Sequence, residues 1–117
     1  AETLANMQTM IRTIPIPPTV LEYIVKMVRL TRPSDASAPE EVRRYVRWGA
    51  GTRACQALAL AGKVYAVIDG RANVAIEDID HAAHAVLNHR LILNYHATSD
   101  QVGVDAIIDE LIRQAKT

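Results

Sequence analysis

The chain has 117 residues, half of them hydrophobic, and its thirteen Lys and Arg balance thirteen Asp and Glu. That length holds one ordinary core, and the apolar content excludes a wholly disordered chain. Zero formal charge argues against whole-surface attraction to nucleic acid or to an anionic membrane. No apolar run is long enough to insert across a bilayer, nothing at the start resembles a signal peptide, and the lone Cys55 cannot close an intrachain disulfide. A reducing, cytoplasmic setting fits that cysteine usage.

In chain order, Leu4, Met7, Ile11 and Ile14 recur at helical spacing, with Thr3 as N-cap. Pro15 stops that helix, and Ile14–Pro18 reads as an extended connector whose last proline opens a second helix. Val20/Leu21, Ile24/Val25 and Met27/Val28 form the buried stripe expected of it, and Arg29 and Arg32 suit its C-terminal end. A polar loop from Arg32 to Pro39 follows. The acidic pair Glu40 and Glu41 then starts a short helix, with Glu40 in reach of Arg44. Val42, Val46 and Trp48 partly alternate, so a strand competes there.

Gly49 to Thr52 breaks this element. The next helix buries Ala54, Ala57/Leu58, Ala61, Val64/Tyr65 and Ile68, and ends at Asp69-Gly70, with Gly70 as a left-handed cap. Another helix runs from about Ile76 to Asn88, with Ile79, Ala82/Ala83, Val86 and Leu87 inward. Glu77, Asp78 and Asp80 cap its start, and His89 and Arg90 sit at its end. Leu91–Leu93 is helix or strand, 98–103 is a loop, and Val104, Ile107/Ile108, Leu111/Ile112 and Ala115 mark a last amphipathic helix. These stripes predict an all-α, compact helical bundle of about five helices with at most one two-stranded pair.

The most informative stretch for chemistry is Gly49-Ala50-Gly51-Thr52-Arg53. A cation in the first turn of a helix is disfavoured by the helix dipole, so Arg53 makes sense where an anion joins it for part of a working cycle. Gly49, Gly51 and Thr52 would form the supporting turn. The plain structural alternative is that Arg53 turns outward or pairs with an acid such as Asp69 or Glu110. The phosphate-loop pattern G-x-x-x-x-G-K-[ST] occurs nowhere in the chain. His81 and His84 lack a third ligand at recognisable spacing, so no metal site is expected. Cys55 among alanines reads as packing, and Arg43, Arg44 and Arg47 read as a solvated face or as contacts to a neighbouring domain.

Four segments taken together resemble one family. Tyr23–Arg32 is similar to the YIVxLVxxTR helix of MoxR-type AAA+ ATPases, and Trp48–Ala54 to their WGASPRA segment. Asp69-Gly70-Arg71 with Val74 and Glu77-Asp78-Ile79 resembles xGRxxVxxEDI, and Val86–Leu91 resembles VLRHRI. The resemblance implies that residues 1–117 form the C-terminal helical lid of such an ATPase, a fragment whose nucleotide-binding core is absent and which is no enzyme alone. It implies that Arg53 is the second-sensor arginine reaching the ATP γ-phosphate, with ATP and Mg²⁺ as cofactors of the parent protein and none for the lid alone. His89 and Arg90 fall on a segment whose role is structural. The implied partners are the AAA+ core of the same chain, neighbouring subunits of a ring, and a protein with a von Willebrand A domain; no nucleic acid and no membrane insertion are implied. Thr52 stands where the family carries proline, which leaves the turn less rigid. The competing expectation is a free-standing helical adaptor that binds a partner protein.

Overall fold

The computed structural model describes Asn6 and residues 13–116. The predicted helix over Leu4 to Ile11, with its Thr3 cap, lies outside the described residues. Residues 14–17 form the extended connector, with Pro17 at φ −58° and ψ 148°. The connector is not free: the Val74 N–H donates to the Pro15 carbonyl (3.3 Å), and Ile14 is buried.

Helix α1 spans Pro18–Leu30 and buries Val20, Tyr23, Ile24, Met27, Val28 and Leu30. The predicted stripe was too wide, because Leu21 and Val25 lie half-exposed on its outer flank. Between Glu40 and Trp48 the helix and strand expectations both hold in part: α2 is Glu40–Tyr45 and β1 is Val46–Trp48. Strand β1 pairs antiparallel with β2, Ile92–Leu93, which resolves the short apolar run as strand. Arg44 pairs with Asp100 (3.5 Å) rather than with Glu40.

Helix α3, Thr52–Ile68, and α4, Ile76–Leu87, make the most extensive contact in the fold. The buried face of α3 is Ala54, Leu58, Gly62 and Ala66. It is rotated from the expected stripe: Ala57, Ala61 and Tyr65 are partly buried, and Ile68 is exposed. Side chains this small let the helices close in, and Gly62 sits against Ile79 and Val74. Helix α4 buries the predicted residues Ile79, Ala82, Ala83, Val86 and Leu87. Gly70, at φ 70°, makes the left-handed turn after α3.

A further short helix, α5, spans Tyr95–Ser99, overlapping the start of the loop expected over 98–103. Asn94 caps it by accepting from the Ala97 N–H, and Asn94 Nδ2 donates to the Arg44 carbonyl (2.8 Å), tying α5 to the end of α2. Helix α6, Val104–Ala115, buries Ile107, Ile108, Leu111 and Ala115. The core is shared by α1, α3, α4 and α6, with Ile24, Met27, Leu58, Ile79, Leu87, Ile107, Ile108 and Leu111 fully buried. The architecture is all-α apart from the two-stranded ribbon. Among the described residues no helix is long and apolar enough to cross a membrane.

Candidate functional site

The turn from Gly49 to Gly51 joins β1 to α3 and is built on the end of α1. Thr31, fully buried at the C-cap of α1, donates its hydroxyl to the Val28 carbonyl (2.5 Å). The same oxygen accepts from the Ala50 N–H (2.9 Å). Arg32 Nε donates to the Ala50 carbonyl (3.3 Å), so both polar groups of that peptide residue are held by α1. Gly49 is needed for the approach: a Cβ there would lie 2.5 Å from the Thr31 carbonyl oxygen and 2.9 Å from Arg32 Cα. Gly51 has open space around it and an extended φ of −107°, so it supplies no comparable fit.

Thr52 begins α3, and its side chain makes no capping hydrogen bond; the cap position is Gly51. Of Gly49, Gly51 and Thr52, named from the sequence as the supporting turn, Gly49 packs tightly on α1, and the groups that bond the turn are Thr31 and Arg32. Arg53 lies in the first turn of α3, exposed, and makes no hydrogen bond or ion pair among the described residues. The acids named as alternatives are taken: Asp69 pairs with Arg71 (2.7 Å), and Glu110 pairs with Arg113. An unneutralised guanidinium thus stands where the helix dipole is positive and backbone N–H groups are unpaired, an arrangement that attracts an anion.

Beside this turn lies an open groove of about 480 Å³ lined by Arg32, Ser34, Arg47, Trp48, Gly49 and Gly51. Trp48 is 61 % exposed and pairs across the ribbon with Ile92, itself 55 % exposed. Cys55, two residues beyond Arg53, has its thiol pushed up by burial, which suits packing rather than nucleophilic chemistry.

The histidines fall apart as a group. His81 stacks tilted on Tyr65, with ring centroids 5.8 Å apart, and His84 turns to α6, where its two ring nitrogens face Asp105 (3.3 Å) and Asp109 (2.9 Å). Among the described residues no cluster of three or more His, Cys, Asp or Glu side chains is arranged to hold a metal ion. One polar cluster exceeds what the sequence reading assigned. Asp78, fully buried, accepts from the Ala75 N–H (2.8 Å) as the start of α4 and takes both terminal nitrogens of Arg71. The capping role was legible; the Arg71 fork was not, although the pair is separated by seven residues across one loop. Hydrogen bonds that it donates to Asp78, then to Asp69, hold the Arg71 guanidinium above its ordinary range.

Comparison with known proteins places the fold. The family model described as the AAA lid domain matches residues 38–111. The chain belongs to that family: it is a helical lid of the AAA type. Chaperone MoxR1 of Mycobacterium tuberculosis is 29% identical over 94 residues, which cover 80% of this chain and 25% of that protein. The uncharacterized protein YeaC of Bacillus subtilis is 30% identical over 97 residues, covering 83% of this chain and 28% of that protein. A crystal structure of a candidate ATPase from Cytophaga hutchinsonii superposes with a TM-score of 0.85 at 33% identity, over 91% of this chain and 32% of that one. Within the AAA lids, this one is the C-terminal lid domain of a MoxR-type AAA+ ATPase. The chain spans about a quarter of the length of the curated relatives it matches.

Proposed function

We propose that residues 1–117 are one lid domain of an ATP-hydrolysing, ring-forming MoxR-type machine, and that the lid reads the nucleotide through Arg53. The observation that carries this reading is the free guanidinium of Arg53 at the start of α3, with every acid named as its partner already engaged. An arginine fork there can span two γ-phosphate oxygens when the core presents ATP and Mg²⁺, and it loses that contact after hydrolysis. The change in contact gives the two nucleotide states different lid positions. The lid alone supplies no groups for Mg²⁺ or the β-phosphate and is proposed to be inactive by itself. Its partners are the core of the same chain and neighbouring ring subunits, toward which Leu21, Val25, Trp48 and Ile92 offer exposed apolar surface. A chaperone-like role, a cytoplasmic setting and a von Willebrand A domain partner belong to the same reading. They rest on the resemblance to MoxR proteins and on the single thiol.

The test is Arg53→Ala in the full-length protein, with ATP and ADP compared. Loss of a charge-assisted hydrogen bond is expected to cost about 1.5–3 kcal/mol, roughly 10- to 150-fold in ATP affinity or turnover. ADP binding should be nearly unchanged, and Arg53→Lys should recover only part of the loss. Equal effects on both nucleotides would make Arg53 a residue of general structure.

A further inference from the structure

We infer that Thr31 is the positioning residue that aims Arg53, through a hydroxyl joint between the end of α1 and the Gly49–Gly51 turn. The inference rests on the nucleotide-sensing reading of Arg53 and adds the device that holds it. Three observations converge on the joint. Thr31 is one of the two fully buried polar or charged residues of the described chain, and its hydroxyl is used at both ends, donating to Val28 and accepting from Ala50. Ala50 is itself buried, so its N–H has no water to turn to if that oxygen is removed. The backbone of Gly49 lies so close to Thr31 and Arg32 that no side chain fits between them.

Gly51 and Thr52 contribute nothing of this kind. A Cβ at Gly51 would meet nothing, and Thr52 makes no cap. The turn entering α3 is therefore fixed from α1, one residue before the glycine that gives it freedom. Proline is missing from this turn, and a hydrogen-bonded seat on α1 does the work that a rigid ring would do in the chain itself. Arg32 assists from the rim through Ala50 and also lines the groove beside the turn.

The experiment uses the full-length protein with Thr31→Val, Thr31→Ser, Arg32→Met and Thr31→Val combined with Arg53→Ala. Thr31→Val keeps the volume and deletes the hydroxyl. It should speed amide hydrogen exchange over residues 49–53 at least about tenfold and weaken ATP about tenfold, with ADP changed less than twofold. Thr31→Ser should restore both. Arg32→Met, at an exposed position where folding is not at stake, should produce a smaller change of the same kind. In the Arg53→Ala background, Thr31→Val should add no further loss of ATP selectivity, because the sensor it aims is gone. The inference is overturned if Thr31→Val leaves ATP selectivity intact while Arg53→Ala destroys it. It is also overturned if the two losses add, or if serine behaves like valine. If Arg53→Ala itself spares ATP selectivity, the sensing reading fails first, and the inference falls with it.

Discussion

The α3–α4 hairpin and the β1–turn segment meet at Gly51 yet are built on opposite terms. In the hairpin, Ala54, Leu58, Gly62, Ala82 and Ala83 are buried, and the one buried carboxylate, Asp78, has a full set of partners. In the segment from Arg47 to Arg53, only Ala50 is buried; Trp48 and two arginines face outward without acids. The hairpin spends its residues on stability. The segment leaves charge and aromatic surface uncommitted, held in shape by a few contacts to α1. Contacts of the first kind should show up in unfolding, and those of the second in binding.

The sharpest way to break the comparison is Asp78→Ala. It strips the Arg71 fork and the Ala75 N–H of their acceptor at once. Removing the buried partner of this half-exposed pair should cost about 1–3 kcal/mol, read as a shift in the urea midpoint with unchanged slope. A cost below about 1 kcal/mol would mean that the cluster is solvated in solution.

Next come the two glycines of the turn. Gly49→Ala forces a Cβ against the backbone of Thr31 and should cost about 2 kcal/mol. Gly51→Ala meets nothing but places alanine at the N-cap of α3, and should cost at most about 1 kcal/mol. Equal costs for the pair, measured by thermal or urea unfolding, would show that the turn is not seated on α1.

A third expectation concerns alkaline pH. Burial, then the hydrogen bond to Asp80, push the Tyr23 hydroxyl well above its ordinary range. Lys116 is also raised by its bond to Asp80. Both groups hold their protons more tightly folded than unfolded. Their contribution is complete below about pH 10, where unfolded tyrosine and lysine begin to ionise, and fades as pH rises beyond it. The Tyr23 hydroxyl should lower stability by at most about 1.4 kcal/mol per pH unit above pH 10. Tyr23→Phe should flatten most of that slope in urea unfolding at pH 9 against pH 11. The smallest expected effect is Arg53→Ala on folding itself, within about 0.5 kcal/mol and on the stabilising side, because a cation leaves a helix N-terminus.

Legibility in the sequence followed contrast between neighbouring positions. Helices α1, α4 and α6 carry large aliphatic residues at helical spacing, and their spans could be read within a residue or two. In α3 the buried face is made of alanine, leucine and glycine, while alanines also occupy its flanks, so periodicity placed the helix but turned its face. Leu21 and Val25 misled for the opposite reason: large apolar residues can be left at the surface of a domain that meets others. Helix α5 has five residues, too few for a period, although Asn94 before it is a cap signal that could have been weighed. Arg53 stood out because its charge opposes its position in the helix. Thr31 could not stand out, since a threonine at a helix end has many local uses and only the approach of residue 50 reveals this one.

The strap of residues 14–17 has a mechanical meaning. Extended proline-rich chain of four residues reaches about 12 Å and resists bending, unlike a glycine-serine tether of equal length. This strap feeds straight into α1 and is pinned by the amide of Val74. No glycine or flexible turn lies between strap and helix, so the two are joined as one stiff unit.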